Sequence, residues 1–255
     1  MGIKGSKLRA KPVSLLLTLP GLILFAVLVA LLVGGYLTFR WWQTNGVRTT
    51  RLLEYLDDPS AHPEWVSRAN ARCPGAPFAF PTNGYIGYLW GDSFHLFTRH
   101  SGIDVFGGRD PGQVPIYSAS DGFLTRRTEW KSAVIVRVPG DPLQPGREIW
   151  LYYAHMAGPQ GNSFIDAAFP PGSQDVPVKA GQPLGFQGNY SGDPSNPTGV
   201  HLHFSIVLGD GRGGFRNETD IVNTLDPSPY FRIPMTAADP EYPSPGCSES
   251  SPDDR

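Results

Sequence analysis

The chain has 255 residues, a formal net charge of −2 and 17% charged residues, with 30 glycines and 26 prolines. This length allows one ordinary domain with its own core, plus appendages. The near-neutral charge, with no Lys/Arg cluster beyond the N-terminus, argues against a nucleic-acid-binding protein, and the Gly and Pro content favours a loop-rich β protein over a helical bundle or a disordered chain.

The N-terminal region predicts a membrane-spanning helix. Residues 12–39 carry no charged side chain, and as a helix they would be about 42 Å long at roughly 1.5 Å per residue. A bilayer core is only about 30 Å thick, so residues 13–39 are predicted to span it. The apolar region of a cleavable signal peptide is shorter, about 7–15 residues, so an uncleaved signal anchor is favoured and a cleaved signal is the alternative.

Basic residues predict the orientation of this helix. The segment 1–12 contains Lys4, Lys7, Arg9 and Lys11. Positive charge favours the cytoplasmic side of a membrane, so residues 1–12 are expected in the cytoplasm. We therefore expect a single-pass protein of the cell membrane whose folded part lies outside the cytoplasm.

The segments that flank the folded part differ from it in composition. Residues 40–75 are predicted to form a juxtamembrane stem, with a short helix over residues 49–56 that Pro59 and Pro63 limit. Residues 236–255 are rich in Pro, Ser and Asp and are expected to form a flexible tail.

The two cysteines, Cys73 and Cys247, belong to no CxxC pair, so a thiolate metal site is not expected. Outside the cytoplasm a disulfide between them is plausible, and it would join the two ends of the folded part. Two free thiols are the alternative, and the sequence does not decide between them.

Residues 76–235 are predicted to form one all-β domain. Short apolar or alternating runs are separated by turn signals roughly every ten residues, which indicates an antiparallel, sandwich-like sheet. The predicted strands are residues 133–138, 148–155, 176–179, 183–187 and 200–208. Asp121-Gly122 also predicts a hairpin between residues 115–120 and 123–127.

The run 200–206 (VHLHFSI) carries the strongest chemical pattern. Side chains alternate on a strand, so Leu202, Phe204 and Ile206 share the core face. His201 and His203 then share the other face. Two imidazoles on one face of an apolar strand are costly unless they are paired or ligated, so a metal site is favoured over two structural histidines.

Two further segments contain candidate site residues. His100 and Asp104 could converge on a metal if Gly102 lets the backbone bend, because zinc binds His nitrogen and carboxylate oxygen at about 2 Å. This spacing alone is weak, and a turn histidine with a capping aspartate is the alternative. His155 ends a predicted strand, in which alternation gives it the same face as Tyr153.

In this order, the motifs resemble those of the lysostaphin/LytM-type zinc metallopeptidases, which are peptidoglycan endopeptidases. The resemblance extends over residues 94–232 and includes the segments 118–122 (SASDG), 178–185 (VKAGQPLG), 198–200 (TGV) and 226–231 (DPSPYF). It implies a β-sheet peptidase domain with an open groove. It also implies a Zn2+ ion held by His100, Asp104 and His203, with His155 and His201 as catalytic histidines that do not bind the metal.

The resemblance implies a membrane-anchored zinc metalloendopeptidase that hydrolyses peptide bonds in the cross-links or stems of peptidoglycan. Because some members of the family have lost ligands, a non-catalytic module that binds the wall or regulates another hydrolase is the alternative. A peptidase with a protein or glycine-rich substrate is a third reading. The segment 157–175 is longer than the resemblance leads us to expect and could line the groove. His62 and His95 belong to no motif and are expected to be surface or packing histidines, and no protein partner is indicated.

Overall fold

The computed structural model describes residues 19–41, 47–95, 98–237 and 247, and it contains two compact units that divide after Val47. The first unit contains α1 (Leu19–Trp41). Within it, Pro20–Phe39 is long and apolar enough to cross a membrane, with a mean hydropathy of 2.6, and it is the one such helix among the described residues. The predicted span 13–39 overlaps α1, and residues 13–18 lie outside the described ranges.

The second unit is mostly antiparallel sheet, as the sequence predicts. In chain order its elements are α2 (Val47–Asp57), β1 (Tyr85–Tyr88), β2 (Ser93–His95), β3 (Thr98–Arg99), β4 (Ile103–Phe106), β5 (Pro115–Tyr117), β6 (Gly122–Thr125), β7 (Val134–Val138), β8 (Ile149–Ala154), β9 (Val176–Val178), β10 (Pro183–Phe186), β11 (Leu202–Leu208), β12 (Thr224–Leu225) and α3 (Ser228–Phe231). Strands β7 to β11 each lie within a predicted run. The helix predicted over residues 49–56 is α2.

The main sheet has the strand order β1–β4–β11–β8–β7–β6–β9. β4 and β12 pair with successive parts of the same edge of β11, so β12 extends the position that β4 occupies. Two small sheets pair β10 with β5 and β2 with β3. β11 therefore lies near the middle of the sheet, between β4 and β8.

The hairpin predicted at Asp121-Gly122 is wrong. β5 pairs with β10 in a small sheet, whereas β6 pairs with β7 and β9 in the main sheet. The Asp121 carboxylate accepts hydrogen bonds from Ala180 N (2.9 Å) and Lys179 Nζ (2.8 Å), and Gly181 N donates to Ser118 O at 2.8 Å. The turn is thus held by the neighbouring β9–β10 connection, and the chain crosses there between sheets instead of folding back.

The apolar core lies on one face of the main sheet. Leu202, Phe204 and Ile206 of β11 are fully buried there, as alternation predicts. They pack with Ile116 of β5 and Leu184 of β10, so the small sheet forms the second layer. Burying each such side chain contributes about 1.5–3 kcal/mol before the entropy of folding is subtracted.

A smaller cluster packs α2 onto the opposite face of the main sheet. Leu52 and Tyr55 of α2 are buried against Tyr85 of β1 and Phe106 of β4. The ring centroids of Tyr55 and Tyr85 are 5.4 Å apart. α2 therefore covers the β1–β4 end of the face that carries His203.

Cys73 and Cys247 form a disulfide, so the structure has the first of the two alternatives. This bond attaches residue 247 to the N-terminal part of the second unit. The predicted flexible tail, residues 236–255, lies outside the described residues apart from 236, 237 and 247.

Candidate metal centre

The register of the main sheet brings His203 and Asp104 together. His203 lies on the face opposite the core, directly across from Asp104 of β4 and Ala154 of β8 in the two flanking strand pairs. Directly opposed residues in an antiparallel pair have Cβ atoms about 4.5–5.5 Å apart, which is close enough for their side chains to share one ligand. The candidate site is thus built on the middle of the sheet.

Gly102 allows the segment that carries His100 to approach β11 closely. A Cβ at Gly102 would lie 2.2 Å from the carbonyl oxygen of Phe204, so no larger residue fits. The sequence predicts a bend at this glycine; the structure shows that the close approach of two backbones requires it. His100 itself is held by its N–H, which donates to Asp92 O at 2.7 Å.

Three side-chain atoms converge at this point. His100 Nε2 lies 3.1 Å from Asp104 Oδ1 and 3.0 Å from His203 Nδ1, and His203 Nδ1 lies 2.9 Å from Asp104 Oδ1. The side chains of His100, Asp104 and His203 are 8%, 10% and 14% exposed, so the group is largely buried and His203 is its most exposed member. Among the described residues, these three form the group that could hold a metal ion.

The donor set and its spacing fit zinc. Three atoms about 3 Å apart can all lie about 2 Å from one point, which is the distance at which zinc binds imidazole nitrogen and carboxylate oxygen. Leu89 O supports this arrangement, because it lies 3.0 Å from His100 Nδ1 and can only accept a hydrogen bond. In the neutral form of His100 the proton is therefore on Nδ1, and the Nε2 lone pair faces the group, as is usual for a zinc-binding histidine.

The electrostatics keep a negative charge at the centre of the group. Burial would raise the pKa of Asp104, but the facing His100 and His201, with hydrogen bonds from His100 and His203, hold that pKa well below its usual range. Burial lowers the pKa of His203 despite its hydrogen bond to Asp104, which favours the neutral ring that a metal ligand needs.

His155 reaches the group through an unusual backbone conformation. Alternation predicts that it shares a face with Tyr153, which the structure buries in the core. This prediction is wrong, because β8 ends at Ala154 and His155 has a φ of 64°. That left-handed conformation turns its ring towards His201 and His203, with centroids 4.4 and 6.3 Å away. Its Nδ1 donates to Tyr190 O at 2.8 Å.

His201 lies between His155 and Asp104. Its Nε2 is 3.6 Å from Asp104 Oδ1, and its Nδ1 donates to Gly199 O at 2.7 Å. Burial lowers the pKa of His201 to about 4, although Asp104 opposes this, so the ring is neutral at neutral pH. The ring stacks on Phe106, with centroids 4.9 Å apart and an interplanar angle of 22°.

The hydrogen bonds of His155 and His201 define their tautomers. A carbonyl oxygen only accepts, so in each ring the proton of the neutral form is on Nδ1 and Nε2 carries a lone pair. Two rings that in their neutral form can accept a proton at Nε2 thus lie beside a group that can hold a cation. All five residues that the sequence predicts for the site lie in this one cluster, and the roles assigned to them remain predictions.

The other histidines and the long loop lie in different surroundings. His62 stacks on Trp65 with centroids 3.7 Å apart, so it is a packing histidine as predicted, and the side chain of His95 lies outside the described part of the chain. In the segment 157–175, Ile165 and Phe169 are buried in the core. A Cβ at Gly161 would lie 3.5 Å from Tyr190, so one turn of this segment adjoins the residue that holds His155.

Sequence reasoning missed the groups that orient the histidines. The carbonyls of Leu89, Tyr190 and Gly199 fix the His100, His155 and His201 rings. Every residue has a carbonyl, so no residue type marks these positions. Only the fold identifies them.

No family model and no curated protein matches the chain. Among solved structures it is similar to Csd3 of Helicobacter pylori (22% identity, TM-score 0.37, covering 64% of this chain and 36% of that one). It is also similar to the antimicrobial peptidase lysostaphin of Staphylococcus simulans (17%, 0.36, 65% and 55%) and to a mutant catalytic domain of the prophage-encoded M23 protein EnpA of Enterococcus faecalis (24%, 0.34, 58% and 95%). The chain spans about a third of the length of Csd3 and about half that of lysostaphin. At these TM-scores the likenesses do not assign an activity to the chain.

Proposed function

We propose that the chain is a membrane-anchored zinc metalloendopeptidase that hydrolyses peptide bonds in peptidoglycan cross-links or stems. The observation that carries the proposal is the convergence of His100 Nε2, Asp104 Oδ1 and His203 Nδ1, with the imidazole rings of His155 and His201 beside them. Three protein ligands and an open position are the arrangement of a catalytic zinc, whereas structural zinc has four protein ligands.

The chain's own residues would then carry out the proton transfers. Zinc, when bound, would polarise the attacking water and the scissile carbonyl. His155 is half-buried and would accept a proton from water at Nε2, because Tyr190 O keeps its other nitrogen protonated. The same Nε2 would return the proton to the leaving amine. His201 is more deeply buried, so a full positive charge on it is more costly, and we assign it to hydrogen bonding near the reacting carbonyl.

The proposed substrate rests on the motifs that resemble lysostaphin/LytM-type peptidases. The location rests on α1 and on the basic residues that precede it. The disulfide between Cys73 and Cys247 supports a site outside the cytoplasm, because disulfides persist in oxidising compartments. An anchor at the membrane surface would limit cleavage to the wall nearest to the membrane.

Incubation of the detergent-solubilised full chain with purified peptidoglycan tests the proposal. We expect soluble peptide-bearing fragments with zinc, and none with a chelator or with His203→Ala. Mass spectrometry of the fragments identifies the bond that is cut. Fragments released equally by His203→Ala would rule out this site as their source. Binding to peptidoglycan without any fragments would favour the non-catalytic module.

A further inference from the structure

A buried ion pair connects the juxtamembrane helix α2 to the segment that carries His100. Arg48, the second residue of α2, pairs through Nη2 with Asp92 Oδ1, and the two side chains are only 7% and 5% exposed. Removing two charges from water costs several kcal/mol per ion, and their attraction repays this only with additional hydrogen bonds. The partners of Asp92 therefore indicate what the pair does.

The second carboxylate oxygen of Asp92 holds the backbone of Leu89, the residue whose carbonyl orients His100. Asp92 Oδ2 accepts a hydrogen bond from Leu89 N at 2.7 Å, and Leu89 O accepts one from His100 Nδ1 at 3.0 Å. Asp92 O also accepts from His100 N at 2.7 Å. Asp92 thus fixes His100 twice: at its backbone directly and at its ring through Leu89.

We propose that Asp92 and Arg48 are positioning residues for His100. The pair fixes the turn at Leu89, which keeps the His100 proton on Nδ1 and aims Nε2 at Asp104 and His203. The inference rests on the proposed metal site for its consequence, which is tighter metal binding. The orientation of the His100 ring does not depend on a metal.

The same helix also packs against a residue that supports His201. Leu52 and Tyr55 pack on Phe106, and Phe106 stacks on His201. α2 therefore contacts the supports of both a proposed ligand and a proposed catalytic histidine. The stem helix is in this respect a part of the candidate site and not only a spacer.

The chain offers a matched control for the ion pair. Asp141 is also buried; it pairs with Arg147 and accepts a hydrogen bond from the Tyr230 hydroxyl at 2.8 Å. It precedes β8, whereas His155 follows the other end of that strand. Asp141→Asn therefore removes the charge of another buried carboxylate that pairs with an arginine, far from the proposed ligands, although the Arg147 side chain is 26% exposed.

The experiment measures zinc affinity of the detergent-solubilised full chain by competition with a chromophoric chelator. We expect Asp92→Asn and Arg48→Met to weaken zinc binding about tenfold or more, in the range usual for outer-shell partners. Arg48→Lys, which keeps the charge, should restore most of the affinity. The absorption spectrum of bound Co2+ should change in Asp92→Asn and stay as in the wild type in Asp141→Asn. Thermal unfolding confirms that each variant compared is folded.

Affinities within twofold of the wild type for folded Asp92→Asn and Arg48→Met would overturn the inference. An equal loss in Asp141→Asn would also overturn it, because the effect would then be a general one. If the wild type binds no zinc, the proposed function fails and ring ¹⁵N NMR of the metal-free chain decides the inference. His100 protonated at Nδ1 in the wild type and altered in Asp92→Asn supports it, and an unchanged ring signal refutes it.

Discussion

His203 of β11 and Asp104 of β4 are directly opposed residues, and His203 Nδ1 lies 2.9 Å from Asp104 Oδ1. The register of one strand pair therefore sets the distance between two proposed ligands. A slip of either strand by one residue would turn its side chain to the core face and separate the two groups. The positions of these two proposed ligands therefore depend on the strand pairing at the centre of the main sheet.

Asp104→Asn tests the proposed metal centre at this pair. The substitution keeps the size of the side chain and removes its charge, so a divalent cation loses its one anionic ligand. Changes to residues that only hold a metal ligand in place typically weaken metal binding about 10–100-fold. We expect Asp104→Asn to weaken zinc binding by more than this, because a ligand itself is changed. Chelator competition measures it, with the exposed Asp110→Asn as the control. Equal affinity in Asp104→Asn and the wild type would refute the proposed ligand set.

Substitution of the proposed catalytic histidines should slow the reaction without weakening metal binding. His155→Gln and His201→Gln should each slow peptidoglycan cleavage about 10²–10⁴-fold, as expected for loss of a general acid–base group or of oxyanion stabilisation. Both variants should keep zinc at the wild-type stoichiometry, measured by elemental analysis of the purified chain. Loss of zinc from either variant would assign that residue to the metal instead.

The close approach at Gly102 gives a prediction for stability. In Gly102→Ala the new methyl group would meet Phe204 O, so β4 and β11 must separate locally. We expect a loss of about 1–3 kcal/mol in the free energy of unfolding, as for other overpacked sites, together with weaker zinc binding. Gly140→Ala is the matched control, because a methyl group added at Gly140 would have no other atom within 4 Å. Urea unfolding curves that coincide for the two variants would contradict the prediction.

The left-handed backbone of His155 predicts an unusual order of substitutions. Asn adopts positive φ more readily than β-branched residues do. We expect His155→Val to be less stable than His155→Asn by about 1 kcal/mol, although valine is the better strand former. Thermal unfolding of the metal-free proteins measures this difference. A more stable valine variant would show that residue 155 continues the strand.

The predicted orientation can be tested with reporter fusions in a bacterial host. Alkaline phosphatase fused after residue 255 should be active, because it folds only outside the cytoplasm, and a cytoplasmic reporter at the same position should not. Replacement of Lys4, Lys7, Arg9 and Lys11 by Glu should lower phosphatase activity. A chain that is full length and resists carbonate extraction would support the uncleaved anchor, and a shortened soluble chain would support the cleaved signal.

Much of the sheet could be predicted from the sequence, because the alternation of side chains along a strand shows which residues share a face. Leu202, Phe204 and Ile206 had to share a face whatever their partners, so the core side of β11 and the opposite side of His203 followed. Which strands pair is set by distant segments. Asp121-Gly122 has the composition of a hairpin turn, yet contacts with Lys179 and Ala180 direct the chain to another sheet.

The sequence was sufficient to predict which side chains form the site, but not how they are oriented. His155 follows its strand in sequence, but one positive φ reverses the face that alternation assigns to it. Asp92 and Arg48 belong to no motif, and 44 positions separate them in the chain. Their relation to His100 depends on the folding of α2 against β1 and β4, which no local pattern contains.

The bond between His155 and the main chain at Tyr190 has a consequence for the specificity of the proposed enzyme. The carbonyl of Tyr190 accepts this hydrogen bond, whereas the side chain of Tyr190 faces Lys131 and the loop around Gly192. A different side chain at position 190 can therefore change the protein surface beside the site and leave the His155 tautomer unchanged. Substrate preference and proton transfer are separable at this residue, so one can be altered by engineering without loss of the other.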